Sequence, residues 1–220
     1  MYLVFIFTRM FYFVRTPQAV RAFHKDRIWS MPAACNEIYL TFDDGPHPTI
    51  TPFVLNLLDQ YKAKATFFCV GANVKKFPQI YQKILDRGHS TGNHTFRHLN
   101  GWQSHTGPYI SDVGFSLRYI ASHLFRPPYG KISPFQSKLL RERGIDNIKF
   151  KIIMWDVLSG DFDPNIDATT CEKNVINNVK PGSIVVFHDS DKAWPRLEKA
   201  LPTVLNNLSE RGFVFKSIPA

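Results

Sequence analysis

Short runs of β-branched and aromatic residues alternate with longer amphipathic stretches along most of the chain. The runs that predict strands are Ile38–Phe42, Ala65–Val70, Phe150–Trp155, Ile184–Phe187 and Phe213–Ile218, with shorter ones near His89–Ser90 and before Arg126. The stretches that predict helices are Thr51–Tyr61, Pro78–Arg87, Tyr109–Ala121, Ser133–Arg143, Ala168–Val179 and Arg196–Arg211. Strands that alternate with helices form parallel sheets. Six or seven such units predict a single α/β domain, arranged as an incomplete barrel rather than an open sheet.

Residues 1–36 precede this regular pattern and are predicted to be an apolar and basic segment that leads into a domain spanning 37–220. Met1–Val14 is strongly apolar and ends at Arg15. It is shorter than the ~18 apolar residues of a spanning helix, and it lacks the basic start and the cleavage site of a convincing cleavable signal peptide. Two interpretations stay open: a strand or helix packed on the domain, and a signal segment or one in which residues 1–14 contact a membrane surface. Met10 is a second candidate start.

Composition narrows the function classes without choosing one. The 220 residues carry 27 Lys and Arg against 18 Asp and Glu, a net charge of +9, in proportions typical of a globular protein. This charge permits attraction to anionic polymers, but the basic residues are scattered and form no nucleic-acid-binding motif. No glycine-rich phosphate loop follows a predicted strand, so a nucleotide ligand is not expected. Nothing in the pattern indicates coiled-coil pairing, and a monomer is expected.

Polar side chains of a few reactive types follow one predicted strand after another. They are Asp43, Asp44, His94, His98, Arg126, Asp161 and His188. Taken singly, each has an ordinary explanation: adjacent acids before glycine form turns, Arg126 fits a surface loop, and His188 fits a hydrogen-bonded core histidine. The carboxyl ends of barrel strands build active sites. The series of such residues at successive strand ends therefore predicts an active site.

His94 and His98 have a spacing that suits two ligands of one metal ion. On a helical turn, residues four apart face the same side. A carboxylate is the natural third ligand. Asp43 and Asp44 would point apart on an extended segment, so one could bind the metal while the other works beside it. Two histidines and one carboxylate fit a hydrolytic zinc site and also a non-haem iron site, so the spacing alone leaves the chemistry open.

The chain from about Glu37 to Ser217 resembles the polysaccharide deacetylases of carbohydrate esterase family four, the NodB-homology domain. Three motifs of that family stand complete and in order: Thr41-Phe42-Asp43-Asp44-Gly45, His94 to His98, and Arg126-Pro127-Pro128-Tyr129-Gly130. Two others depart from the family pattern. The fourth ends in Asp161-Phe162 where Asp-Trp is usual, and the fifth reads Val186-Phe187-His188 where Leu-x-His is usual.

The resemblance implies a distorted (β/α) barrel of about seven parallel strands and a role for each motif residue. It implies one divalent metal ion, usually zinc, held by Asp44, His94 and His98. Asp43 would be the general base and His188 the general acid. Arg126 would position the base carboxylate, and Asp161 would orient the acid imidazole. The backbone N–H of Tyr129 would stabilise the oxyanion.

The implied reaction is removal of N-acetyl groups from an amino-sugar polymer, outside the cytoplasm as in most of the family. Peptidoglycan or a related envelope glycan is favoured, chitin-type oligomers come next, and O-acetylated xylan follows. A silent glycan-binding protein and a deacylase of small non-sugar amides are the alternatives. Phe162 and Val186 are smaller than the residues that usually wall the acetyl pocket in the family. Either neighbouring side chains fill the space, or the pocket takes a different acyl group, such as N-propionyl.

Overall fold

The computed structural model describes residues 12–32 and 36–219, and its centre is a curled parallel sheet. The strands are β1 Glu37–Asp43, β2 Ala65–Cys69, β3 Ser90–Asn93, β4 Leu124–Phe125, β5 Lys151–Ile152, β6 Val157–Leu158, β7 Ile184–His188 and β8 Val214–Phe215. Their order is β5-β4-β3-β2-β1-β7-β6, with β8 beside the start of β1, and the described pairings between strands are parallel. The predicted single-domain α/β barrel of about seven strands is confirmed.

The described residues form eight α-helices. They are α1 Gln18–Phe23, α2 Ile50–Gln60, α3 Gly71–Lys76, α4 Pro78–Asp86, α5 Thr106–Ser116, α6 Pro134–Lys138, α7 Ala168–Ile176 and α8 Trp194–Glu210. A wide turn, Leu139–Arg143, continues α6, and a 3₁₀ turn spans Pro128–Gly130. The six predicted helices are present with shifted ends. The two helices that the pattern missed, α1 and α3, have six residues each, too few for a helical period to show.

Alternation along β1 separates the hydrophobic core from the site. Ile38, Leu40 and Phe42 face outward and pack with apolar residues of α2 and α8. Tyr39 faces inward with a smaller apolar group that fills the lower barrel. Because successive side chains of a strand point to opposite faces, Asp43 at the end of β1 also faces the barrel interior. The strand thus delivers a carboxylate to the upper rim.

The predicted strand Phe150–Trp155 is wrong in its extent. Only Lys151–Ile152 pairs with β4, and the chain then crosses the barrel to form β6 at the opposite edge of the sheet. The crossing residues offer their carbonyls elsewhere: Arg126 Nε donates to the Ile153 oxygen at 3.2 Å, and Arg126 Nη2 donates to the Met154 oxygen at 3.0 Å. A buried arginine thus takes the acceptors that would have continued the ladder.

The predicted strand Phe213–Ile218 is also shorter, because the chain leaves β8 after Phe215. The backbone N–H of Ile218 donates to the Thr66 hydroxyl at 2.8 Å, and the Ile218 side chain joins the apolar group inside the barrel. A side-chain acceptor on β2 therefore replaces the backbone partner that a longer strand would need.

Residues 12–32 lie across the gap between the two edge strands. The Val14 carbonyl accepts from Leu158 N at 2.8 Å, and Thr16 N donates to the Asp156 carbonyl at 3.0 Å. Ile28 forms a parallel bridge with Ile153. The hypothesis of membrane contact by residues 1–14, and the second candidate start, fall largely on residues 1–11, outside the described part. Among residues 12–32 and 36–219, no helix combines the length and apolar character that crossing a membrane requires.

Candidate active site

All seven side chains predicted for the active site meet at the carboxyl ends of the strands. Asp43 ends β1 and pairs in register with His188, which ends β7. His94 and Arg126 directly follow β3 and β4, and Asp161 comes three residues after β6. The supporting groups are buried, while Asp44, His98 and His188 keep part of their side chains exposed. The site is therefore partly open to solvent at its rim, and the residues that support it are buried.

Asp44, His94 and His98 form a group that could hold one metal ion. Their donor atoms all lie within 4.8 Å of one another. The Asp44 Oδ1 atom is 3.1 Å from His98 Nε2 and 3.8 Å from His94 Nε2. Ligands about 2.0–2.1 Å from a tetrahedral zinc lie about 3.3 Å apart. The spacing and the chemistry of the donors therefore fit a divalent metal such as zinc.

The protonation of these ligands also suits a metal. Burial lowers the pKa of His94 to about 4, so its ring is neutral. Its Nδ1 lies 2.7 Å from the carbonyl oxygen of Arg126. Because a carbonyl oxygen can only accept, Nδ1 carries the proton, and Nε2, on the side of Asp44, keeps a free lone pair. Burial would raise the pKa of Asp44, but the hydrogen bond from His98 and the nearby imidazoles hold it well below its usual range. Metal ligands must be deprotonated, and these two are.

The expected helical turn between the two histidines is wrong. Residues 94–100 form an irregular loop in which Thr95 and His98 have φ of 63° and 57°. The extended segment expected for the two acids is also wrong at its second residue, since Asp44 has φ of 84°. These left-handed conformations, rather than helical or strand periodicity, turn Asp44 and His98 toward each other. The spacing of four residues therefore predicts that the two histidines lie together, but it does not predict the conformation of the loop that joins them.

Asp112 holds the loop between His94 and His98, a role that the sequence did not reveal. This buried carboxylate on α5 accepts from the backbone N–H groups of Phe96 and Arg97 at 2.8 and 2.9 Å. It also accepts from Arg97 Nε at 2.6 Å. A carboxylate in the middle of a helix has no spacing relation to the motif, so its function is visible only in the folded chain.

Arg126 fixes the predicted general base. Its Nη1 donates to Asp43 Oδ1 and to the Thr41 hydroxyl, both at 2.7 Å, and its guanidinium lies 4.1 Å from the centre of the Phe68 ring. The arginine is fully buried, and Asp43 is 4% exposed. Burial lowers the pKa of Arg126, and the Asp43 carboxylate counters that effect. A surface-loop position for Arg126 is excluded, because the guanidinium fills the centre of the barrel.

His188 is oriented by Asp161 on the other side of the site. His188 Nδ1 lies 2.7 Å from Asp161 Oδ1, and its backbone N–H donates to Asp161 Oδ2 at 2.7 Å. Burial would lower the pKa of His188, but the Asp161 carboxylate, with Asp44 and Asp43 nearby, raises it to about 9. The imidazole is therefore cationic near neutral pH, and Nε2 is its second proton donor. This is the state that a general acid needs.

Asp189 is a second residue to which the sequence assigned no role. Its Oδ1 accepts from Gly45 N at 3.0 Å, its Oδ2 accepts from the Thr51 hydroxyl, and its own N–H donates to the Asp43 carbonyl at 3.1 Å. A Cβ atom at Gly45 would lie 2.1 Å from Asp189 Oδ2. The glycine after the two acids is thus required by the approach of this carboxylate, which ties the end of β7 to the turn after β1.

The three residues predicted to contact substrate have different environments. Tyr129 has φ of 60°, is 62% exposed, and packs its ring edge-on to His98 at 4.7 Å. Phe162 packs edge-on to the His188 ring at 5.3 Å. Val186 is buried on the barrel-facing side of β7, in register with Thr41. Phe162 therefore lies beside His188 and Tyr129 lies beside His98, while Val186 faces the barrel interior. Their contact with substrate stays a prediction.

The chain is similar to a family of known proteins over most of its length. The polysaccharide deacetylase family model matches residues 30–148, more than half of the chain. A peptidoglycan-N-acetylglucosamine deacetylase of Bacillus cereus is 34% identical over 199 residues, which cover 86% of this chain and 90% of that protein. A chitooligosaccharide deacetylase of Azorhizobium caulinodans is 33% identical over 204 residues, covering 84% and 93% of the two chains.

A solved structure shows the same architecture. It is a peptidoglycan N-acetylglucosamine deacetylase in complex with 4-naphthalen-1-yl-N-oxidanyl-benzamide. The two structures superpose with a TM-score of 0.79 at 32% sequence identity, and the match covers 93% of this chain and 95% of the other. The curled barrel and the order of its strands are therefore shared along nearly the whole length of both chains.

Proposed function

The chain belongs to the polysaccharide deacetylase family, and from that premise we propose that it removes N-acetyl groups from an amino-sugar polymer of the cell envelope. The resemblance drawn from the motifs is confirmed by the family match. One observation carries the proposal: the Asp-His-His donor group shares one rim of the barrel with a buried Arg126–Asp43 pair and with a His188 imidazole that the buried Asp161 carboxylate holds. A nucleophile site with a base on one side and an acid on the other is what amide hydrolysis requires.

We propose that the metal is zinc and that Asp44, His94 and His98 hold it. When bound, such an ion lowers the pKa of a water molecule toward neutrality and polarises the amide carbonyl. Both functions assist hydrolysis without redox chemistry. The neutral His94 ring and the anionic Asp44 side chain favour such a borderline cation.

The chain's own residues handle the protons. Asp43 accepts a proton from the attacking water, whose oxygen bonds to the acetyl carbonyl carbon. The backbone N–H of Tyr129 donates to the oxyanion that develops there. His188 then gives its proton to the amide nitrogen as the carbon–nitrogen bond breaks. The products are acetate and a free amine on the sugar. An amine is a poor leaving group unless it is protonated, so the cationic state of His188 has a direct use.

Peptidoglycan is the favoured substrate, and chitin-type oligomers come second. Relatives named for each of these substrates match most of the chain at similar identity. The net charge of +9 favours the more anionic of the two polymers. We take the protein to act as a monomer. The complete set of seven functional side chains argues against a silent glycan-binding protein, since function is decided by the site rather than the fold.

Acetate release from a panel of glycans tests the substrate. We expect the zinc-loaded protein to release acetate from purified peptidoglycan at least about tenfold faster, per acetyl group, than from acetylated xylan, because discrimination by buried polar contacts reaches this size easily. N-acetylglucosamine oligomers should fall between the two. Protein incubated with a chelator is the matched control. Rapid release from a small acetanilide with none from any glycan would point instead to the small-amide alternative.

A further inference from the structure

We propose that the N-terminal segment is a built part of the active site, in which Tyr12 is a positioning residue that holds Phe162 against His188 and thereby limits the size of the acyl group accepted. This inference rests on the proposed function. It concerns a residue outside all five motifs, ahead of the predicted domain boundary at residue 37.

Backbone pairing fixes where Tyr12 lies. Arg15 forms an antiparallel bridge with Val157, and the Val14 carbonyl accepts from Leu158 N at 2.8 Å. Thr16 adds a second anchor, since its hydroxyl donates to the Trp155 carbonyl at 2.8 Å. In an antiparallel pair, each step back along one strand is a step forward along the other. Three steps from this bridge place Tyr12 opposite Gly160, at the start of the loop that carries the fourth motif.

In this register, the Tyr12 side chain contacts the loop that carries the fourth motif. The Tyr12 ring packs on the Phe162 ring with centroids 5.2 Å apart. A Cβ atom at Gly160 would lie 2.7 Å from the Tyr12 hydroxyl, so the loop passes directly over the phenol. Burial, and then the neighbouring Asp163 carboxylate, raise the pKa of Tyr12 to about 12, so the hydroxyl stays protonated as a donor. The side chain therefore fills the space behind the loop.

The contacts continue from Phe162 to the acid. Phe162 packs edge-on to His188 at 5.3 Å, and its neighbour Asp161 binds both the ring and the backbone of that histidine. Lys192 covers another side of Phe162 at 5.8 Å. A ring held between Tyr12 and His188 cannot swing outward. Because Phe162 stands where the family has a larger tryptophan, the support from Tyr12 compensates for the missing volume and keeps the space beside His188 small.

Acyl selectivity provides the test. The test compares kcat/KM on glucosamine oligomers that carry N-propionyl groups with kcat/KM on the same oligomers carrying N-acetyl groups. Tyr12→Ala should raise the propionyl-to-acetyl ratio by ~10-fold, the discrimination that one methylene gives in a confined pocket. Tyr12→Phe keeps the ring and should leave the ratio unchanged. Phe23→Ala is the matched control, because Phe23 is 87% exposed on the same N-terminal segment. If the Tyr12→Ala protein does not fold, Tyr12→Leu is used in its place.

A substrate-free measurement separates this inference from the proposed function. The proton on His188 Nδ1, shared with Asp161 at 2.7 Å, should give a sharp downfield NMR signal in the wild type and in Tyr12→Phe. That signal should broaden or disappear in Tyr12→Ala. Equal losses on both acyl substrates, or an unchanged signal, would overturn the positioning role. No acetate release by the wild type from any glycan would contradict the proposed function, while the NMR signal would still decide the role of Tyr12.

Discussion

Replacing Asp44 with alanine is expected to abolish zinc retention and to reduce acetate release by at least about 10⁴-fold, the upper range for a single proton-transfer residue. The loss is this large because, in the proposed mechanism, the base acts on a water molecule that the metal would activate, and the acid acts only after that water has attacked the carbonyl carbon. Asp44 is central to the donor group, with its Oδ1 atom 3.1 Å from His98 Nε2 and 3.8 Å from His94 Nε2.

Zinc content after exhaustive dialysis, measured by plasma mass spectrometry, checks this expectation beside the activity. Asp86→Ala is the matched control, because Asp86 is an exposed carboxylate on α4. It should retain both zinc and activity. An Asp44→Ala protein that keeps one zinc per chain and appreciable acetate release would show that the metal lies elsewhere or is not needed.

Replacing His188 with alanine should lower amide hydrolysis by about 10²–10⁴-fold while leaving bound zinc in place. The reason is the leaving group: the amide nitrogen departs only when protonated, and His188, which is cationic near neutral pH, is the proposed donor of that proton. An activated ester such as 4-nitrophenyl acetate releases a stable phenolate without a proton. The variant should therefore keep most of its esterase activity, and equal losses on both substrates would contradict the assignment of His188 as the acid.

The pH dependence of the wild type follows from the same pair. The pKa of His188 is raised to about 9, so the charged acid form predominates below that pH and is lost above it. Amide hydrolysis limited by this acid should accordingly fall as the pH rises through about 9. Hydrolysis of the activated ester should lack this basic limb, because it does not use the proton.

Much of this site could be predicted because its side chains belong to short sequence motifs that directly follow strands. Parallel strands bring their carboxyl ends to one rim, so a local motif after each strand is enough to assemble the group. The barrel followed from alternation alone. The strand after Phe150 could not be predicted correctly, because its end is set by Arg126, whose side chain binds carbonyls that lie 27 and 28 positions later in the chain.

The supporting residues were out of reach of sequence reasoning for a related reason. Asp112 acts through backbone N–H groups of the histidine loop, and Asp189 acts through the N–H of Gly45. Neither has a recurring spacing from the residues that it holds. Tyr12 reaches the site through a backbone bridge from a segment that the pattern placed outside the domain. Such long-range contacts become apparent only once the chain is folded.

Asp43 is proposed to activate water for deacetylation at a metal site, and a comparison of two proteins tests this role directly. Acetate release from peptidoglycan is measured for the wild type and Asp43→Asn, both loaded with zinc and both checked for folding by circular dichroism. Asparagine keeps the shape of the side chain and the acceptor for Arg126 Nη1 but cannot take a proton. We expect release by the wild type and a loss of about 10²–10⁴-fold in Asp43→Asn at unchanged zinc content. Equal release by the two proteins, or none by a folded, zinc-loaded wild type, would refute the proposed role of Asp43.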